Sequence, residues 1–222
     1  MGIYKYDVYR SPNIGLFVKT NDTLLSVPFG FAETKVNKLK EYLDVETIVY
    51  VSVSGTRLLG PLTVMNNNGI LLPSTASEDE LQLFKKASKV NVERLDSKYT
   101  AIGNLISAND KGAVVSTLIR EETLQQIKDI LGVQVERLSI SGFVQTGSLV
   151  VATNQGAGVH PIATEDEVQK LSEILMVDVE PATVNGGIPY LSSGITANSN
   201  SMVVGTLTTG PELIILSRAF KI

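Results

Sequence analysis

The one histidine of the chain, His160, is the natural candidate for acid–base chemistry, because an imidazole can exchange protons near neutral pH. Three carboxylates follow it at 165–167. Their placement has a simpler explanation, since Thr164-x-x-Glu167 is the pattern of a capping box and acidic residues favour the first turn of a helix. No His/Asp/Glu group has metal-ligand spacing. We therefore interpret His160 as structural and predict neither a catalytic residue nor a metal site.

A second candidate is the Gly/Thr-rich segment 205–210, which leads into a helical pattern and could hold a phosphate at a helix N-terminus. It lacks the lysine of a P-loop and the hydroxyl that would hold Mg²⁺. Pro211 suits the first turn of a helix, where its missing N–H has no partner to lose. Gly156-Ala-Gly158 likewise lacks the third glycine of a dinucleotide fingerprint. We interpret both segments as loops and expect no cofactor.

An internal repeat supplies the elements that would position any site. One position returns at intervals of 43–45 residues, as Gly15, Gly60, Gly103, Gly147 and Ser192. A constant 21 residues later comes the first apolar residue of a helical stripe: Val36, Leu81, Leu124, Val168 and Leu213. Five units of about 44 residues account for nearly all of the 222 residues. Such periodicity indicates a solenoid, a propeller or a closed array.

The sequence pattern of each unit predicts a β-hairpin, then a helix, then a third strand. Apolar runs flank a turn led by Asn or Thr, as at 66–69 and 109–112, where Asn and Gly tolerate positive φ. A stripe of period 3.6 then predicts the helix, and a strand-like segment follows four of the five helices. The fifth has none, but Ile3–Tyr9 is strand-like. We predict that this N-terminal strand completes the last unit and closes the ring, so that no sheet edge stays exposed. The backbone packing of such a ring also explains the recurring glycines.

The composition is that of a globular protein, with 43% hydrophobic and 19% charged residues and no linker-like segment, so we expect a single domain over 1–222. The absence of cysteine excludes disulfides and a thiol nucleophile. No apolar run approaches a membrane span, and we expect a soluble cytoplasmic protein without a membrane partner. A net charge of −4 disfavours DNA and suits a basic protein surface. A closed ring predicts a monomer.

Several motifs carry a family resemblance. They are the run from Tyr99 to Gly112, the segment Gly69–Pro73, Thr146-Gly-Ser148, and the segment Thr208–Leu213. In this order and repeat phase, the whole chain resembles the archaeal branch of the translation initiation factor 6 family. The resemblance implies an α+β pentein fold, a propeller of five pseudo-symmetric repeats with strands around the axis and helices outside.

The resemblance also implies a function. Such proteins bind the large ribosomal subunit on its intersubunit face, against a ribosomal protein of the L14 family and close to the sarcin–ricin loop of ribosomal RNA. There they prevent association with the small subunit, and eukaryotic members assist late ribosome biogenesis. A translocase-type GTPase and a partner protein release them, so the factor itself needs no catalytic group. The mechanism implied is steric exclusion.

The residues that match the subunit-binding positions of the family are Asn13, Arg57, Gly60, Tyr99, Gly103 and Asn104. We expect polar anchors from Asn104 and Arg57 and apolar area from Tyr99. Two departures mark imperfect symmetry. Pro61 stands where eukaryotic members have a basic residue, and Ser192 replaces the fifth lead glycine.

Two alternatives come from other functional classes. Pentein-fold enzymes act on guanidino compounds with a nucleophilic Cys beside a His and acidic partners, and a chain without cysteine disfavours that reading because hydroxyls are poor nucleophiles without a positioned base. A general scaffold that binds proteins through a flat ring face is left open by the residues alone.

Overall fold

The computed structural model describes residues 2–222 and contains five three-stranded sheets in that range. In each sheet the first two strands are antiparallel, and the third lies parallel to the second. The sheets consist of Lys19–Thr20, Leu24–Pro28 and Thr47–Val51; Val64–Met65, Gly69–Pro73 and Asn91–Leu95; Ile106–Ala108, Gly112–Val115 and Gln134–Arg137; Val150–Ala152, Ala157–Val159 and Val179–Pro181; and Ile195–Ala197, Met202–Val204 and Ile3–Lys5.

Two sets of helices accompany the sheets. A long outer helix follows the second strand of each unit and, in the first four units, leads to the third strand: Glu33–Leu43, Glu78–Ala87, Glu121–Leu131, Glu165–Leu175 and Gly210–Phe220. A short lead segment precedes each first strand: Ile14–Phe17, Leu59–Leu62, the 3₁₀ turn Ile102–Asn104, Thr146–Leu149 and Leu191–Gly194. The apolar stripes of the outer helices are buried against the sheets, as Leu39 and Phe84 illustrate. No helix within 2–222 is both long and apolar enough to span a bilayer.

The N-terminal strand closes the ring as predicted. Ile3–Lys5 pairs in parallel with Met202–Val204, with Ile3 opposite Met202. Just beyond the strand, the Tyr6 N–H donates to the Val204 carbonyl at 2.8 Å. The start of the chain therefore supplies the third strand that the fifth unit lacks, which confirms the predicted α+β pentein arrangement of five repeats.

The lead glycines pack around the axis, each against the unit before it. A Cβ atom at Gly60 would overlap the carbonyl oxygen of Gly15, one at Gly103 that of Gly60, and one at Gly147 that of Gly103. Gly15 meets the carbonyl of Ser192 in the same way, so the contact passes through the point of closure. Their recurrence thus reflects close backbone approach.

The Asn-led turns differ from the prediction in one respect. None of the residues in 66–69 or 109–112 has a positive φ. The side chain shapes the turn instead, because Asn66 Oδ1 accepts the N–H groups of Asn68 at 3.0 Å and Gly69 at 2.9 Å. Glycine is required at Gly69 for another reason, since a Cβ there would overlap a carbonyl of the neighbouring outer helix.

The same asparagines also join the units. Asn66 Nδ2 donates to the carbonyl oxygens of Asn109 at 3.0 Å and Leu131 at 2.8 Å, both in the next unit. Across the closure, Asn198 Nδ2 donates to the Asn21 carbonyl at 3.2 Å. Each amide therefore satisfies its own turn and its neighbour at once, which Thr at the equivalent position of the fourth unit cannot do.

Candidate functional site

The topology separates the ring into two faces. First strands run from the lead segments to the Asn-led turns, and second strands run back, so every outer helix begins at the lead end. We call this end the lead face. It carries the lead segments, the turns after the third strands and the loops before the outer helices. The opposite end, with the Asn-led turns and the C-termini of the outer helices, is the asparagine face.

Exposed apolar side chains concentrate on the lead face. Of the eleven large apolar residues that are exposed within 2–222, nine lie there: Tyr9, Phe29, Leu58, Leu118, Phe143, Ile162, Ile188, Tyr190 and Leu207. The other two are Met176 on the asparagine face and Ile214 on an outer helix. Such a concentration of exposed apolar side chains on one face is typical of a surface that binds another macromolecule.

All six residues proposed from the sequence lie on this lead face. Arg57 is exposed, and its guanidinium carbon is 5.7 Å from the centre of the Tyr9 ring, a distance at which the cation and the ring attract each other. Tyr9 in turn meets Phe17 and Phe31 edge-on, each at 5.3 Å between ring centres. Among the described residues Arg57 has no carboxylate partner, so its charge is open to a ligand.

Asn104 ends the third lead segment and lines a cavity that the five first strands enclose on the axis of the ring. It is half-buried, and its side-chain amide makes no hydrogen bond to a protein group within 2–222. The neighbouring Gly103 is buried and Gly60 is half-buried. A partner on the lead face can therefore reach Asn104 but not Gly103, whose contribution is to let the lead segments pack closely.

The remaining two proposed residues are less prominent. Asn13 precedes the lead segment Ile14–Phe17 and is half-buried, and its side chain makes no capping bond. Tyr99 packs partly against the apolar core of the third unit, while the Lys98 ammonium lies 5.1 Å from the centre of its ring. Tyr99 therefore offers only part of its ring to the surface.

Sequence reasoning missed a second aromatic group on this face. The ring of His160 lies 6.3 Å from that of Phe143, nearly parallel, and meets Tyr190 edge-on at 5.7 Å. His160 Nδ1 accepts the Ile162 N–H at 3.0 Å, and burial lowers the pKa of the imidazole. The repeat contained the signal, because Phe143 stands four residues before its lead position, as Tyr99 does.

Glutamates at the helix starts, of which Glu80 and Glu212 are buried and Glu167 is half-buried, hold the turns of the lead face. The predicted capping boxes at Ser77 and Thr164 are present, and Thr209 adds a third. Each box glutamate also binds the turn of the preceding sheet. Glu212 accepts the N–H groups of Thr209, Gly187 and Gly186 at 2.7, 2.8 and 3.0 Å.

The charge of these glutamates is stabilised where they sit. Burial by itself raises the pKa of Glu212, but the N–H and hydroxyl donors outweigh burial and lower the pKa to about 2. The pKa values of Glu80 and Glu167 are lowered by the same balance, through donors that include Gly55 and Ser141. Ionised carboxylates therefore fasten three turns of the lead face to the next unit. Within the described range, no three His, Cys, Asp or Glu side chains form a group that could hold a metal ion.

Comparison with known proteins identifies the family. The sequence pattern of the eIF-6 family matches residues 3–219. The chain is 54% identical over 220 residues to translation initiation factor 6 of Nitrosopumilus maritimus and 51% identical over 220 residues to that of Cenarchaeum symbiosum, covering 99% of both chains in each case. It is 42% identical over 224 residues to translation initiation factor 6 of Pyrococcus furiosus, with 99% of this chain and 98% of the relative covered. The chain therefore belongs to the eIF-6 family of translation initiation factors.

Proposed function

We propose that this initiation factor binds the large ribosomal subunit through its lead face and thereby excludes the small subunit. One observation carries the proposal: the exposed apolar side chains gather on this face, together with the unpaired Arg57 guanidinium and Asn104 amide. Interfaces draw most of their binding energy from a few aromatic and arginine anchors of this kind.

The lead face is suited to rigid docking. The Arg57 guanidinium is already seated on Tyr9, and the glutamate-bound turns are fixed before any partner arrives. A surface that is ordered in the free protein loses less side-chain and loop entropy on binding. This favours docking of the ring as a rigid body.

We further propose that the partner surface is a ribosomal protein of the L14 family, next to the sarcin–ricin loop. The net charge of −4 suits a basic protein more than an extended nucleic-acid contact. The bound ring would fill space that the small subunit must enter. Because the effect comes from occupancy, no transition state has to be stabilised, and we propose that the chain acts without catalysis.

Sedimentation with purified subunits tests the proposal. The factor is expected to travel with the large subunit and not with the small one, and its addition is expected to reduce the fraction of coupled ribosomes in a gradient. A general protein scaffold would bind both subunits or neither. Failure of the unmodified factor to travel with the large subunit would refute the function as a whole.

Substitutions on the lead face locate the interface. Arg57→Glu and Asn104→Asp each remove a proposed anchor, and we expect each to weaken binding by about 30-fold, the equivalent of about 2 kcal/mol. Undiminished co-sedimentation of both variants would remove these residues from the interface while leaving the function standing.

A matched pair of charge insertions separates the lead face from the outer surface. Leu58, next to Arg57, is on the lead face, and Ile214 is on an outer helix; the two variants are Leu58→Glu and Ile214→Glu. The side chains are 42% and 72% exposed, so neither change empties the core. We expect Leu58→Glu to weaken subunit binding at least about tenfold and Ile214→Glu to leave it unchanged. Equal binding by both variants would show that the lead face is not the docking surface.

A further inference from the structure

The first strands of the five units enclose an axial cavity below the lead segments. It has a volume of about 60 Å³. A water-sized particle needs roughly 10–15 Å³ of such space, so the cavity holds a few of them, and the volume is far below the roughly 300 Å³ of a pocket for an organic ligand. The residues around it come from all five units and include the lead glycines. Anything bound here must therefore be an ion or a molecule of comparable size.

Lys19 is the single ionisable residue among those that line this cavity. Its ammonium group makes neither a hydrogen bond nor an ion pair with any group in 2–222. The Lys19 side chain is half-buried, and burial of the charge lowers its pKa to about 8. Since that value lies above neutral pH, the ammonium form still predominates at pH 7. The cavity therefore contains a positive charge without a protein counter-ion.

Two neutral donors face the same cavity without protein partners. Ser107 is 7% exposed and its hydroxyl makes no hydrogen bond within the described residues, and the Asn104 amide is unpaired. Neither group is sealed from water, since the one fully buried side-chain polar atom without a partner within 2–222 is Thr63 Oγ1. Thr20 and Thr196, which also line the cavity, are occupied with backbone carbonyls. The open groups are thus one cation and two groups that can donate.

We infer that the axial cavity binds a small monovalent anion of the size of chloride, with the Lys19 ammonium as its counter-ion and the Ser107 hydroxyl and Asn104 amide as hydrogen-bond donors. The anion accepts hydrogen bonds from polar groups at the centre of the ring that have no partner in the protein. This inference concerns the free protein, so it stands or fails independently of ribosome binding.

Thermal unfolding of the full chain tests the inference in solution. At pH 7 and constant ionic strength, replacing gluconate by chloride to about 0.2 M is expected to raise the Tm by about 3 °C, because a ligand of the folded state stabilises it. Gluconate is too large for the cavity, so the comparison removes general screening. A Tm that does not depend on the anion would overturn the inference.

Variants and a heavy halide assign the site. Lys19→Met removes the charge at similar length and is expected to abolish the chloride response, whereas Lys111→Met, an exposed lysine of the asparagine face, is expected to retain it. Ser107→Ala is expected to reduce the chloride response, and this variant tests the site if Lys19→Met does not fold. In crystals containing bromide, an anomalous peak beside Lys19 Nζ is expected. A peak only elsewhere, or an unchanged chloride response in both cavity variants, would overturn the assignment.

Discussion

Glu212 offers the sharpest test of how the lead face is built. Glu212 is 6% exposed, and besides the three N–H groups its carboxylate accepts the hydroxyls of Thr183 at 2.8 Å and Thr209 at 2.9 Å. The change Glu212→Gln keeps the shape but replaces one acceptor oxygen by an NH₂ group. The NH₂ group is itself a donor, and it would face the N–H and O–H donors that bind the carboxylate oxygen in the unmodified protein. Those hydrogen bonds are therefore lost, and the turn at 185–187 is no longer held to the helix.

The magnitude follows from the titration of the carboxyl group. A pKa lowered from 4.5 to about 2 corresponds to about 3 kcal/mol in favour of the ionised form, at about 1.4 kcal/mol per pKa unit. Because the folded-state pKa of Glu212 lies below the unfolded-state value, this stabilisation is complete above pH 4.5 and is lost as the pH falls towards 2. At pH 7 we expect Glu212→Gln to lower the Tm by roughly 6–12 °C.

Denaturant unfolding between pH 2 and pH 7 provides the assay. The unmodified protein should lose more stability than Glu212→Gln as the pH falls below 4.5. Glu165→Gln is the matched control, because Glu165 also stands in the first turn of an outer helix but makes no side-chain hydrogen bond in the described structure. It should cost at most about 1 kcal/mol. Parallel pH profiles for the unmodified protein and Glu212→Gln would refute the reasoning.

Two further predictions concern the packing of the repeats. Gly60→Ala places a methyl group on the Gly15 carbonyl and should cost more than about 3 kcal/mol or prevent folding, while Gly210→Ala, with nothing within 4 Å, should be neutral or slightly stabilising, as urea unfolding would show. Asn66→Ala removes two hydrogen bonds to carbonyl oxygens of the next unit and should cost about 2–4 kcal/mol. A loss below about 1 kcal/mol would mean that water replaces the amide.

Part of the candidate site could be predicted from the sequence. The repeat register places Asn13, Arg57 and Asn104 within three residues of a lead position, and their position on one face follows from that register alone. The register also contained Phe143, which stands four residues before its lead position as Tyr99 does. It was missed because an aromatic residue in a loop carries no sign of exposure until the loop is packed against its neighbours.

The role of the box glutamates shows the same division. The pattern Thr164-x-x-Glu167 predicted a helix start, and the structure confirms it. That Glu167 also accepts the Ser141 N–H at 2.7 Å could not be predicted, since the two residues belong to successive units and meet only when those units pack together.

The sequence by itself determined the number of units, their order and the closure by the N-terminal strand. Units that pack in the same way need the same residue types at the same intervals, and this requirement is visible as a repeat along the chain. Only the tertiary structure decided which groups are left unpaired: the amide of Asn104, the guanidinium of Arg57 and the ammonium of Lys19. Exposure and pairing depend on residues more than forty positions apart in the chain, and such distances in space are fixed only when the ring has closed.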